Sequence, residues 1–599
     1  MYRAPVSEIA FTLKHVAGLG EALATGAFPG LTEDLVDAVL QEAGRFASER
    51  LAPLNRVGDQ VGARLDDGVV TTAPGWREVF ADWSAAGWGG VAAPESAGGQ
   101  GLPMALSAAV GEMWNGACMS FSLCPLLCMG AIEAIERHGT DALRELYLPR
   151  IVSGEWTATM NLTEPQAGSD LGALTCRAER RADGTFRLFG QKIFITYGEH
   201  DLTQNIVHLV LARLPDAPPG SRGISLFLVP KVLPASDGKL GARNDVYCAG
   251  IEHKLGIHAS PTCTMIYGDG RFGSEAGAVA WLVGEEHRGL ACMFTMMNNA
   301  RLMVGVQGVG QAELALQQAT AFAVERRQGH APGAGGNGMS LIAEHPDVRR
   351  MLMTMRALTE AARAICYACA VASDLGRAGT GDARERSQAR AELLTPVAKA
   401  FSTDIANEVA SLGVQIHGGM GFIEETGAAQ TLRDARIGAI YEGTNGIQAI
   451  DLVARKLPLS DGQVVIEYIN EISTLAESAR GQNRPEFGRV GERLGSAIDD
   501  LKAATRHLQQ LLAQGRTAEA LAGAAPYLRL FGLAAGGAYL AKAALASVGD
   551  AAPRSAMRIA TARFMAERLL PECAALRSAI VEGAEAVLAP PIPDLEAAS

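Results

Sequence analysis

The run Ala439-Ile440-Tyr441-Glu442-Gly443-Thr444-Asn445-Gly446-Ile447-Gln448 carries one carboxylate with no cation beside it. Flanked by Ile440, Tyr441 and a glycine, Glu442 should lose solvent, which raises a carboxyl pKa and sharpens it as a base. Glu442 is therefore the candidate catalytic residue. Other stretches carry binding chemistry. MNLTEPQAGSDLGA, from Met160, puts Thr163, Ser169 and several backbone amides on a loop where they can donate hydrogen bonds. QKIFITYG offers the Phe194 ring to cover a flat heterocycle, with the Thr196 hydroxyl on the same side because strand side chains repeat every second residue. NNARLMVGVQGVGQA sets Asn298 and Arg301 three apart on one side of a helix, where they could hold polar groups. QIHGGMGF supplies Gln415, Gly418, Gly419 and Gly421, and the missing side chains let backbone approach a pyrophosphate.

Taken singly, each stretch also has a structural reading: a helix-end carboxylate, a capped turn, ordinary strand residues, a solvated helix face. Their order decides. Across roughly residues 70 to 455 the motifs resemble the flavin-dependent acyl-CoA dehydrogenase family. The resemblance implies FAD as cofactor, with Leu162 and Thr163 meeting the flavin and Ser169 meeting flavin or acyl-CoA. Phe194, where the family more often has Trp, would shield the ring, and Thr196 would reach flavin N5. Asn298 and Arg301 would hold the CoA moiety. Arg326, in AFAVERRQG, aligns with the family arginine that reaches the FAD pyrophosphate of a neighbouring subunit, and Gln415, Gly418 and Gly419 would serve the same group. At the base, Gly443 would meet substrate and Thr444 the flavin. KLGIHASPT has His258 where Arg is common, and a lone His reads as hydrogen-bonded structure.

The implied reaction is α,β-dehydrogenation of an acyl-CoA thioester, with Glu442 taking the α-proton while the β-hydride passes to flavin N5. Electron-transferring flavoprotein would be the electron acceptor, and the enzyme a homodimer or homotetramer. The YRAP-type N-terminus and the added C-terminal segment resemble long bacterial members of the 3-(methylthio)propanoyl-CoA dehydrogenase type. Two alternatives share the fold. An acyl-CoA oxidase would let dioxygen reach the flavin, and a non-catalytic, DNA-associated flavoprotein would need a basic C-terminal surface. From residue 460 onward 14 Lys and Arg stand against 16 Asp and Glu, which disfavours the latter.

The elements that must position these residues follow from size and pattern. A chain of 599 residues exceeds a single core, and 48% hydrophobic residues can bury a large interior. A net charge of -12 disfavours a broad nucleic-acid or anionic-membrane surface. The ten cysteines show no paired CxxC at zinc spacing, so no metal is expected, and they suggest a reducing cytoplasm. Cys366 and Cys369 read as buried thiols on an alanine-rich helix. Glu8 and Lys14 interrupt what a signal peptide would keep apolar. Met113 to Ile132 lacks charge over a membrane-spanning length, but its polar residues, Pro125 and glycines make it an internal wall helix.

The expected fold class is α+β multidomain of the acyl-CoA dehydrogenase type. Residues 1–155 read as an N-terminal helical domain and 156–285 as a middle β-barrel or sandwich domain. Residues 286–455 read as a helical bundle with the base, and 456–599 as an additional C-terminal helical domain. Within the β-region, TCRAERRADGTFRLFGQKIFIT predicts two strands around an Asp183-Gly184 turn, followed by NIVHLVLARL, GISLFLVP, PTCTMIYGDG and AVAWLVGEE. GHAPGAGGNGMS, residues 329–340, reads as a mobile loop, and the tail from Leu588 as frayed.

Overall fold

The computed structural model describes residues 1–235, 239–273, 275–333, 338–550 and 552–589. The centre of the glycine-rich run 329–340 and the tail from residue 590 lie outside them. The chain divides into two compact units, one of residues 1–6 and 36–303, the other of 7–35 and 304–599.

In the first unit, helices enclose an eight-stranded sheet. Its strands are β1 (Thr157–Asn161), β2 (Arg177–Arg180), β3 (Phe186–Thr196), β4 (Ile206–Arg213), β5 (Ile224–Pro230), β6 (Val246–Ile251), β7 (Thr262–Tyr267) and β8 (Ala278–Val283). The order is β6-β7-β3-β8-β5-β4-β1, and β2 pairs with both β3 and β4, which closes β3, β8, β5, β4 and β2 into a ring. Apolar residues face the interior, where Leu188, Val210, Phe227, Val229, Cys263 and Ala280 make a solvent-free core. The Asp183-Gly184 turn joins β2 to β3. Asp183 Oδ1 accepts from Thr185 N and Oγ1, and Gly184 takes φ 82°.

The helix Met104–His138 is buried along most of its length, bends at Cys118 and contains Pro125. By length and composition it could cross a membrane, as could Ala524–Ala546. Of their most apolar windows, 94% and 83% are buried. Both are core helices of their own units.

In the second unit the long helices Pro346–Ala378 and Gly381–His417 pair along their length. The segment 304–323 packs on the latter where a Cβ at Gly305 or Gly308 would stand 2.4 Å from Ala398 O or 2.6 Å from Ser402 O. Glycine is required there for the close approach. Gln463–Arg480, Val490–Ala513 and Ala524–Ala546 form the C-terminal helical group, with Leu494, Ile498, Leu501 and Leu508 inside. All ten cysteines are buried and none is in a disulfide; Cys366 Sγ lies 3.3 Å from Ser402 Oγ.

Candidate active site

In the first unit, two of the sequence motifs lie side by side. After β1 the chain turns into the TEPQAGSD loop, and Ile193 N donates to Thr163 O at 2.9 Å. Lys192, wholly buried on β3, donates from Nζ to Leu162 O at 2.9 Å and Glu164 Oε1 at 2.8 Å. Glu164 in turn accepts from Thr175 N (2.7 Å), Thr175 Oγ1 (2.8 Å) and Cys176 N (3.0 Å). Burial opposes its ionisation, but the Lys192 ammonium and these donors prevail and hold its pKa down at about 2. The loop is thus clamped from beneath by an ion pair. Among the described residues no intramolecular partner takes the hydroxyls of Thr163, Ser169 or Thr196, and Ser169 is exposed.

Phe194 is 57% exposed and sits at φ 61°. The pairing of β7 with β3 slips between Cys263 and Met265, so β3 carries an extra residue there. The strict alternation used to place Thr196 beside Phe194 is therefore broken, because a left-handed residue is not extended. Both remain less buried than Ile195 between them. Thr196 O accepts from Thr159 Oγ1 at 2.7 Å, which ties the end of β3 to β1.

Asn298 is exposed and Arg301 buried on the helix Gly289–Ala323, with the Arg301 guanidinium 5.9 Å from the Phe294 ring centroid. His258 uses both ring nitrogens structurally, Nδ1 lying 2.8 Å from Asp59 Oδ1 and Nε2 3.0 Å from Lys254 O.

In the second unit, Glu442 occupies a tight turn between the 436–439 helical turn and the helix Asn445–Asp451. It is half-buried, at φ 56°, followed by Gly443 at φ 83°. Two consecutive left-handed residues break the chain between the two helical segments. Thr444 caps the following helix, accepting from Ile447 N at 3.3 Å. Beside it, Tyr441 donates to Gln307 Oε1. Burial and then the Glu442 carboxylate push the Tyr441 phenol above its ordinary value, so it remains a neutral donor. Lys399, wholly buried on Gly381–His417, donates to Gly443 O at 2.9 Å and Asn445 Oδ1 at 2.8 Å. Gln448 Nε2 reaches Glu442 O at 3.3 Å and Gly443 O at 3.4 Å.

The glycine motif also lies in this unit. The helix ends at His417, and Gly418 takes φ 60°, ψ -138°, a conformation essentially confined to glycine. Gln415, Gly418 and Gly419 are exposed, and a Cβ on either glycine would meet nothing within 4 Å. Gly421 is different: a Cβ there would stand 2.3 Å from Val414 O. Arg326 is exposed, with Nη2 3.4 Å from Gln328 Oε1, whereas Arg327 is tied to Met339 O at 3.0 Å. By their chemistry the residues present fit FAD: in the second unit, open glycine backbone and the exposed Arg326 suit a pyrophosphate, and in the first, the unengaged hydroxyls of Thr163 and Thr196 suit a flavin.

Sequence reasoning passed over Lys192, Glu164, Lys399, Asn445 and Gln448. The signal for the lysines was a single cation inside an apolar run, QKIFIT and LLTPVAKAFS, where a solvated surface charge is out of place.

Known proteins match along the chain. Family models described as the acyl-CoA dehydrogenase N-terminal, middle and C-terminal domains match residues 34–155, 159–269 and 287–457, and one described as acetyl-CoA dehydrogenase C-terminal like matches 468–591. The 3-methylmercaptopropionyl-CoA dehydrogenase of Ruegeria pomeroyi is 45% identical over 98% of this chain and 99% of its own. In fold, the chain is similar to Caenorhabditis elegans ACDH-11 solved in complex with C11-CoA, with a TM-score of 0.77 at 21% identity, covering 97% of this chain and 96% of that one. A Bacillus anthracis acyl-CoA dehydrogenase complexed with FAD gives 0.74 at 21% identity, covering 94% and 89%. On these matches the chain belongs to the acyl-CoA dehydrogenase family, whose activity is FAD-dependent dehydrogenation of acyl-CoA.

Proposed function

We propose that the chain removes a proton and a hydride across Cα–Cβ of an acyl-CoA thioester, giving the trans-2-enoyl-CoA. The observation that carries this reading is the turn at Glu442, a carboxylate set on left-handed backbone whose carbonyls are fixed by Lys399 and Gln448. FAD supplies the acceptor for the β-hydride. Glu442 takes the α-proton on its carboxylate. Backbone amide at Glu442 and Gly443 donates to the thioester oxygen, where negative charge grows as the α-proton leaves. Asn298, Arg301 and Ser169 hold the CoA and acyl portions. Leu162, Thr163, Phe194, Thr196 and Ser169 hold the flavin end of FAD, and Thr444 abuts it at the base.

In this reading Arg326, Gln415, Gly418 and Gly419 take the pyrophosphate of FAD bound to a second copy, so the enzyme works as a homodimer or homotetramer. It resides in the cytoplasm, serves fatty-acid and related acyl-CoA metabolism, and passes electrons to an electron-transferring flavoprotein. Its four-part division is 1–155, 156–285, 286–455 and 456–599. The Ruegeria pomeroyi relative supports short and methylthio-substituted acyl groups as the first substrates to try.

The test is anaerobic titration of the yellow protein with acyl-CoAs from short to long, including the 3-methylthiopropanoyl thioester, following flavin absorbance. Wild type should bleach with at least one thioester, and Glu442→Gln should stay oxidised with all of them. If wild type stays oxidised throughout, the reading fails.

A further inference from the structure

Lys399 brings a full charge into direct hydrogen bonding with the base turn. Its ammonium is wholly buried and spans the peptide just after Glu442 and the first side chain of the next helix, at Gly443 O and Asn445 Oδ1. Asn445 extends the contact. Its Oδ1 also accepts from Thr403 Oγ1 at 3.2 Å, and its Nδ2 donates to Ala400 O at 3.2 Å and Asp404 Oδ1 at 2.7 Å. The turn is further pressed on this helix at Gly438, where a Cβ would lie 2.9 Å from Thr403 Cγ2.

The conformation so held is not one the chain would choose alone. A non-glycine residue at φ 56° is strained and persists only where its surroundings over-determine it. Rotation of the 442–443 peptide would relieve the strain and swing the carboxylate. It would also pull Gly443 O off a buried ammonium, at the cost of a charge-assisted hydrogen bond in a dry site. That penalty exceeds the relief.

We propose that Lys399 is a positioning residue for the base: by holding Gly443 O it fixes the peptide that orients the Glu442 carboxylate, while touching neither substrate nor FAD. The proposal rests on Glu442 being the base of the reading above. A carboxylate displaced by about 1 Å can lose roughly 100-fold in rate, since proton transfer needs hydrogen-bond reach at the correct angle.

The experiment is stopped-flow reduction of the FAD-loaded enzyme by the best thioester of the panel, comparing wild type, Lys399→Met and Asn445→Ala. For each, FAD content, thermal midpoint and the Kd of a non-reducible thioether analogue of the substrate are measured as well. Lys399→Met should reduce roughly 10- to 100-fold more slowly, with analogue Kd within about threefold of wild type and FAD retained. Asn445→Ala, which keeps Lys399 on Gly443 O but cuts its tie to the helix, should slow reduction several-fold. Equal reduction rates in wild type and Lys399→Met would overturn the proposal. So would parallel loss of analogue binding, FAD and rate, which marks a merely structural lysine. If Lys399→Met does not fold, Asn445→Ala decides, and an unchanged rate there overturns the proposal. A wild type that bleaches while the variants match it removes only the role of Lys399; a wild type that never bleaches removes the dehydrogenase reading with it.

Discussion

Two buried lysines hold two loops of this molecule, and they do so in different ways. Lys192 meets a carboxylate: Glu164 is ionised, hydrogen-bonded by four further donors, and anchors the TEPQAGSD loop through a neutralised pair. Lys399 meets neutral oxygens at Gly443 and Asn445, and the carboxylate in its network, Asp404, is reached through Asn445. Burial raises the Asp404 pKa against the Asn445 hydrogen bond and the Lys399 charge. A neutralised pair makes a stiff platform and can be replaced only as a pair. An ammonium spent on neutral amide oxygens holds a shape, and its removal should be felt in geometry before stability.

The largest effect that would sharpen this contrast is Lys192→Met. It strands the Glu164 carboxylate in a dry site, at a cost of about 3–5 kcal/mol to the first unit. Denaturant unfolding should show the loss, and gel-filtered protein should lose flavin absorbance. Pairing it with Glu164→Gln should restore much of the stability, and failure to do so would mean the ion pair is not what anchors the loop.

Acid should separate the two regions next. Glu164 has a folded pKa of about 2 against an ordinary 4.5, so its stabilisation is present above pH 4.5 and is lost as the pH falls towards 2. That loss amounts to about 3 kcal/mol. His200 and His208, buried first and then repelled by Lys231 and Arg243 respectively, have folded pKa values of about 3. The unfolded chain therefore binds their protons first, and stability falls from pH 6.5 downwards. Hydrogen exchange should speed up across β1 to β4 under mild acid before it does at residues 442–451. The reverse order would break the comparison.

Smaller effects test the backbone of the second unit. Gly418→Ala introduces no clash but forces alanine into a glycine conformation, at about 1–2 kcal/mol. The thermal midpoint should fall modestly, with weaker FAD retention if the glycine pair serves the pyrophosphate. Thr444→Ala removes the cap of Asn445–Asp451 and should cost about 1 kcal/mol, with flavin reduction slowed less than in Lys399→Met.

The strands around the Asp183-Gly184 turn and the later apolar runs were legible because alternation and turn residues are local. β6 was not singled out, since VYCAGI is short and broken by Gly250, where its pairing shifts. The residues with reactive or binding chemistry stood out by type. Those that hold them did not: Lys399 and Asn445 are 46 apart in sequence, and Lys192 and Glu164 are 28 apart. No periodicity reports a bond across such a span. The left-handed backbone at Phe194 and Glu442 was equally invisible, because neither residue type asks for it.

The early segment 7–35 belongs to the second unit. Glu8 pairs with Arg558 at 3.0 Å, the Arg558 guanidinium lies 3.5 Å from the Phe11 ring centroid, and Glu21 meets Lys542 at 3.1 Å. These residues leave the ribosome well before Lys542 and Arg558, which follow only after about 500 more have been made. At about 5–20 residues per second that is a wait of roughly 25–100 s. Until Pro346–Ala378 and then Ala524–Ala546 have been made, Leu13 and Val16, both buried in the finished protein, lack the helices they pack on. The nascent chain therefore carries an apolar flag through much of its synthesis, a natural place for a chaperone to take hold.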